Sequence, residues 1–435
     1  MKRPIVITLL IVALALVCLG IGAVAFFAVN GGFVTNNPFD RLNVPSELEE
    51  SKSLKIDAEE PLTLNVVNEA GEVTVIGADV DTVQVKVVKT AYDTTQARAD
   101  AEVKTVKYDI EQNGNTITLK YEIPDSMNFN NNVNTVDFIV TVPQETSVDI
   151  DGNMGKVDVS GLQGQVVIDN DFGDVNVEKV DGALEVKTNS GRVDVKAVRA
   201  GTKNIDLYSG FGSTYLDQVS GADITVQSNS GTIDVQEVRA TKDMELSSDF
   251  GNVKFDNGSA ASLTVSTQSG SIDLSSVNIS GELTIKNDFG DINLEQVKAK
   301  SYDTNTNSGS IIIDGAQGSV KAHTGFGNIT VKNAESATLD LNTQSGSIEF
   351  IGSLGDGPHT IHSDFGEIEV SIPADSALNV DFKTEFGRIR SDIPVTITLT
   401  GELNQNQQTG TINGGGSQFN ASTKSGNITI SVLSQ

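Results

Sequence analysis

The chain has 435 residues, 38 % of them hydrophobic, with only 5 % aromatic, no Trp and 41 Gly. Its formal charge of −28 excludes a nucleic-acid partner, because binding a polyanion requires a clustered basic surface. The single cysteine, Cys18, excludes an intramolecular disulfide and any cysteine-built metal site.

Lys2 and Arg3 precede Pro4, and Ile5 to Val29 then runs without a charge. That length suits a bilayer-spanning helix better than a signal-peptide core, and the basic flank places the N-terminus in the cytoplasm. Residues 1–29 are therefore expected to be a signal anchor, with the bulk of the chain extracytoplasmic. The alternative is cleavage near Ala23-Val24-Ala25 and secretion. Cys18 lies mid-span, where a plain membrane-buried thiol is expected. Residues 30–53 turn polar, with Gly31-Gly32 and the acidic run Glu47 to Glu50, as in a flexible linker.

Residues 54–145 carry mixed signals. Leu62–Val67, Val73–Ile76 and Val83–Val88 alternate as strands do. Thr94 to about Val106 has a helical stripe with Thr94 or Thr95 as cap. Asn113-Gly114 joins Tyr108–Glu111 to Thr116–Tyr121 as a hairpin, and Val136–Val142 is a strand stopped by Pro143. This is expected to be a small α+β region that caps the repeats that follow, since a bare sheet edge invites pairing with another chain.

From 146 to 435 one phrase recurs. Thirteen anchoring glycines run from Gly155 to Gly387, about 19–20 residues apart, a period that marks a repeat architecture. Phe-Gly and Ser-Gly versions alternate, so Phe172-Gly173, Phe211-Gly212, Phe250-Gly251, Phe289-Gly290, Phe326-Gly327 and Phe365-Gly366 recur every 37 to 39 residues. Apolar residues sit seven and five before each glycine and two and four after it: Leu283, Ile285, Ile292 and Leu294 around Gly290. Period 2 on both sides of a turn means two short strands, each with one buried face. With no helix between them, each unit is one coil of an all-β parallel solenoid, with like residues stacked on like. The glycine is expected at a corner with positive φ. The phenylalanine rings are expected to be mostly buried as packing, the alternative being a ligand-binding aromatic ladder. Past Gly387 the period slips, with Gly410 and Gly426 resuming it irregularly and Val395–Leu399 and Ile428–Val432 as closing strands.

Carboxylates recur beside the Phe-Gly corners: Asp171, Asp174, Asp249, Asp288, Asp291 and Asp364. Oxygen ligands of this kind can hold a divalent cation such as calcium. Turn capping and solubility account for the column more simply, and no cofactor is expected. A glycosidase pair must converge in a cleft, whereas a rod spreads its acids along one edge. The sequence has no phosphate-binding loop, dinucleotide fingerprint or nucleophile elbow, and no catalytic residue stands out. His323, His359 and His362 are too scattered for zinc, and His359 and His362 fall on opposite faces of a strand.

Ala70-Gly71-Glu72-Val73-Thr74-Val75, then Val83 to Val87, then reiterated Ser-Gly-x-Ile-x-Val units together carry a family likeness. Residues 54–435 resemble the bacterial envelope proteins grouped as candidate adhesins, of the domain of unknown function 4097 type. The resemblance implies a right-handed β-solenoid at the cell surface, an adhesion or interaction role with protein or glycan of the envelope, and no catalytic residues. The other readings are a regulatory scaffold docking membrane signalling components and, third, a polysaccharide-acting β-helix enzyme.

Overall fold

The structure is a computed structural model that describes residues 44–57, 60–124, 133–397 and 406–433. The expected signal anchor, Cys18 and residues 30–43 of the expected linker lie outside the described residues. Among the described residues no helix is long and apolar enough to cross a membrane.

Each coil is built as the apolar pattern dictates. A longer strand precedes the corner glycine and a shorter one follows it, as in Val166–Phe172 and Val175–Glu178. Successive coils pair in parallel and in register: Ile168 lies on Val186, and Ile292 lies between Ile272 and Ile311. The inward residues form one continuous core in which Ile272, Ile292 and Ile311 are fully buried. Burying each such side chain contributes about 1.5–3 kcal/mol, so the rod is held by repetition of one modest gain.

Two corners flank the shorter strand of each coil. At the first, the anchoring glycines stack directly: a Cβ on Gly290 (φ 141°) would lie 2.1 Å from the Gly270 carbonyl oxygen. Gly366 has no positive φ in the range that favours glycine, yet a Cβ there would lie 2.0 Å from the Gly346 oxygen. The dominant reason for glycine is thus the close approach of the coil below, with φ secondary. At the second corner the left-handed residue is usually not glycine: Lys179, Ala197, Gln218, Glu237 and Ser276 have φ between 52° and 57°. A fully buried valine follows one residue later, as at Val180, Val198 and Val219.

The N-terminal region is woven into the rod. Strands β1 (Val44–Lys55), β2 (Thr63–Asn68), β3 (Val73–Ala78) and β4 (Thr82–Asp93) precede helix α1 (Gln96–Glu102) and strands β5 (Asp109–Asn113), β6 (Thr116–Tyr121) and β7 (Thr135–Pro143). Helix α1 is shorter than expected, and its cap residue Thr95 makes no side-chain capping bond. β2 and β3 form a complete coil whose strands lie in parallel on Ser147–Met154 and Val157–Ser160. β6 and β5 extend one sheet beyond it, and β7, β4 and β1 extend the other. Residues 44–53, expected in the flexible linker, are instead an edge strand paired antiparallel with β4. Their acidic run is held by cations of that strand, Glu49 by Lys86 at 2.8 Å and Glu50 by Lys89 at 2.6 Å.

At the far end the chain departs from sequence order. Pro358–Phe365 pairs with Ser417–Ser425, which in turn pairs with Leu378–Phe386. The coil ending the described chain is therefore inserted before the coil that precedes it in sequence. Gly426 takes the next place in the glycine stack, and Gly410 lies instead in an antiparallel strand (Gln407–Ile412) covering the last edge. Of the expected closing strands, Ile428–Val432 forms as a coil strand, while Val395–Thr396 is a short antiparallel bridge beyond which the residues are not described.

His359 is fully buried in this end, edge-on to Phe419. Its Nε2–H donates to the Gly355 carbonyl at 3.1 Å, and its Nδ1 accepts from the Leu339 N–H at 3.4 Å. Burial holds its pKa below the ordinary value, with the bond to Gly355 working against the shift. The unfolded chain takes up a proton near pH 6.5 and the folded one resists it, so this contribution to stability is present above that pH and is lost as pH falls below it. His359→Leu is accordingly expected to flatten the dependence of melting temperature on pH between about 7 and 5 relative to the wild type. An undiminished slope in the variant would assign the acid sensitivity to other groups.

Candidate functional site: an exposed phenylalanine ladder

The parallel register carries the residue before each corner glycine into a single file. In space the file runs Met154, Phe172, Ser190, Phe211, Ser230, Phe250, Ser269, Phe289, Ser308, Phe326, Ser345, Phe365, Ser425, Phe386. The rings are in solvent: exposure runs from 55 % at Phe172 to 77 % at Phe386. The expectation of buried packing is thus corrected for Phe172, Phe211, Phe250, Phe289, Phe326 and Phe365 alike. Strand alternation points the residue before the glycine inward, but sheet pairing lapses one residue earlier on each coil. Between the Asn170–Thr188 and Phe172–Ser190 pairs, for example, Asp171 has no partner. The backbone turns there, and the ring swings outward.

A buried polar column fixes the corner from beneath. Three residues before the glycine, on most coils, an Asn, Ser or Thr donates to the glycine carbonyl of the neighbouring coil: Asn287 to Gly270 at 3.0 Å, Thr306 to Gly290 at 3.2 Å, Ser363 to Gly346 at 2.9 Å, with Gly152 and Thr188 as exceptions. Inside an apolar corner a carbonyl left without a donor would be costly, so this column fixes the turn that displays the ring. The sequence reading missed it, although Asn170, Thr267, Asn287 and Thr343 stand at the same offset from their glycines.

The six candidate carboxylates flank the ladder in two columns. One is paired with amides of the next coil: Asp171 accepts from Asn189, Asp249 from Gln268 at 2.9 Å and Asp288 from Asn307 at 2.9 Å. In the same column the Lys424 ammonium at 2.7 Å, and after it His362, hold the Asp364 carboxyl below its ordinary range. In the second column Asp174 and Asp291 each accept the backbone N–H of the next coil's turn, from Arg192 and Ser310, at 2.8 Å. Among the described residues no group of three or more His, Cys, Asp and Glu side chains comes together that could hold a metal ion. His362 lies on the outer face beside Asp364, apart from the buried His359.

The model of the Toastrack DUF4097 family matches residues 73–256 and again 241–431. The chain belongs to the Toastrack DUF4097 family. Two solved structures are similar to this Toastrack chain. One is a candidate cell adhesion protein from Clostridium sporogenes, at 10 % identity over 89 % of this chain and 100 % of that one, with a TM-score of 0.20. The other is a candidate adhesin from Bacteroides fragilis, at 13 % identity over 71 % and 98 % of the two chains, with a TM-score of 0.28. Superpositions this loose assign no function. No curated protein matches the sequence. In this Toastrack chain the ladder gains Phe386, which sequence order concealed. Its Phe-Gly falls one coil early in the alternation until the Ser425 coil is placed between Phe365 and Phe386.

Proposed function

We propose that this chain is a non-enzymatic interaction rod displayed outside the cell membrane, in the manner of an adhesin, and that the phenylalanine ladder is its contact face for protein or glycan of the cell surface. One observation carries the reading. The alternation of Phe and Ser survives the break in chain order, since Phe365, Ser425 and Phe386 come from three segments out of sequence yet keep the spacing. Exposed apolar surface gathered on one face marks interaction sites on soluble proteins, and aromatic anchors dominate binding energy where they are covered. The uncharged stretch Ile5–Val29 behind Lys2 and Arg3 supports a single-pass anchor with a cytoplasmic N-terminus.

Cells displaying the full-length chain, compared with cells displaying a variant carrying Phe211→Ser, Phe250→Ser, Phe289→Ser and Phe326→Ser, test the reading. Retention on isolated envelope material is expected to fall by about tenfold or more in the variant at equal surface amount. Equal retention would remove the ladder from the function. Reducing-end release from an acidic polysaccharide by the purified chain would overturn the non-enzymatic part.

A further inference from the structure

We infer that the ladder is a template for an extended, cationic, proline-rich chain in the polyproline II conformation, laid along the rod; the inference rests on the interaction reading above. The first argument is metric. Neighbouring strands lie about 4.8 Å apart, so rings on every second coil repeat at about 9.6 Å. A polyproline II helix turns every three residues at about 3.1 Å each and so presents the same face every 9.3 Å or so. From Phe172 to Phe386 that mismatch accumulates to about 2 Å, within the give of the chain. An α-helix repeats at about 10.8 Å over two turns and drifts by about 7 Å over the same span. A β-strand returns to one face at about 6.7 Å and meets the rings out of phase.

The second argument is shape. Ser190, Ser230, Ser269, Ser308 and Ser345 lie between the rings, so the file is a row of aromatic posts with small residues between them. Proline rings of a preformed, low-entropy chain seat between aromatic side chains of this kind. The third is charge. Asp171, Asp174, Asp288, Asp291, Asp364 and Glu367 stand within two residues of a ladder phenylalanine, and of these Asp364 has Lys424 as a close cation. A lysine or arginine at every third position would lie over the ring faces and near the carboxylates. The same columns disfavour a second copy of this chain, whose ladder is equally acidic and whose net charge is −28.

The test uses the full-length chain and a fluorescent (Pro-Pro-Lys)n peptide long enough to span the ladder, with (Gly-Ser-Lys)n of equal length and charge and (Pro-Pro-Glu)n as comparisons. The (Pro-Pro-Lys)n peptide is expected to bind about tenfold or more tighter than (Gly-Ser-Lys)n, because its conformation is already ordered, and (Pro-Pro-Glu)n is expected not to bind. The fourfold Phe→Ser variant should lose the preference for proline while keeping its melting temperature. Equal affinity for the two cationic peptides would overturn the inference, leaving charge alone, as would tight self-association in sedimentation that the Phe→Ser variant abolishes. If the variant loses envelope retention while wild type ignores (Pro-Pro-Lys)n, the partner class fails and the contact face stands. If retention is unchanged, the contact face itself fails.

Discussion

Gly290→Ala is expected to destabilise the rod by about 3 kcal/mol, far more than replacing an unobstructed turn glycine usually costs. The added Cβ would lie 2.1 Å from the carbonyl oxygen of Gly270 and 2.7 Å from its carbon. Neither atom can yield by rotating, because both belong to the backbone of the coil beneath, and that coil is itself stacked on Gly251. The damage spreads: the Asn287 amide that bridges Gly270 and Gly290 would be pushed from its acceptors, and stacked repeats lose stability through their nearest-neighbour contacts. Gly366→Ala separates this from a φ effect, because Gly366 has no positive φ in the range that favours glycine, yet a Cβ there would lie 2.0 Å from the Gly346 carbonyl oxygen. Its substitution is expected to cost about 3 kcal/mol as well. Urea unfolding of the two variants makes the comparison, and a Gly366→Ala midpoint near that of the wild type would show that backbone conformation, and not coil contact, selects the glycines.

The coil was legible because its signals are local. The apolar offsets, the glycine and the absence of intervening helix all fall within one period, and they fix strand, turn and stacking together. The same offsets hold around Gly71, where Leu64, Val66, Val73 and Val75 are all buried. That coil was within reach of the pattern, but lay hidden among signals of an unrelated kind, since β4, α1 and β5 to β7 separate it in sequence from the coil it stacks on. The strand formed by Val44–Lys55 was concealed by Glu47 to Glu50, whose charges look solvated until Lys86 and Lys89 are placed opposite them. The exchange of the last two coils left only an indirect trace. Gly387 follows a Phe and Gly426 a Ser, so the alternation places Gly426 next to Gly366, but the local apolar offsets are shared and the long-range pairing decides the order. The phenylalanines were misplaced by a rule that works in one direction only. A buried position favours an apolar residue, but an apolar residue at a corner follows the backbone there, and pairing lapses just before it.

The spacing of the ladder gives the second large effect, and a pair of deletions isolates it. Residues 252–270 form one complete coil of the Ser-Gly kind, from just after Gly251 to Gly270, and contain no ladder phenylalanine. Removing them brings Phe250 and Phe289 onto adjacent coils, about 4.8 Å apart. Removing residues 252–290 takes out Phe289 as well but leaves Phe250 followed by the Ser308 coil, so the alternation is intact. Both deletions join equivalent positions after an anchoring glycine, and a repeat array tolerates loss of whole units. The longer deletion also removes the buried Ile272, Leu274, Leu283 and Ile285, so it is expected to melt below the shorter one, and retention is compared well below both midpoints.

Retention of each deleted form on envelope material is the measurement that bears most directly on the ladder. The spacing account predicts that the 252–290 deletion, with one ring fewer, stays within about threefold of wild type, whereas the 252–270 deletion, with every ring present, falls by about tenfold or more. Equal retention by both forms, or the larger loss in the 252–290 deletion, would contradict it: the rings would then act by number alone, or not at all.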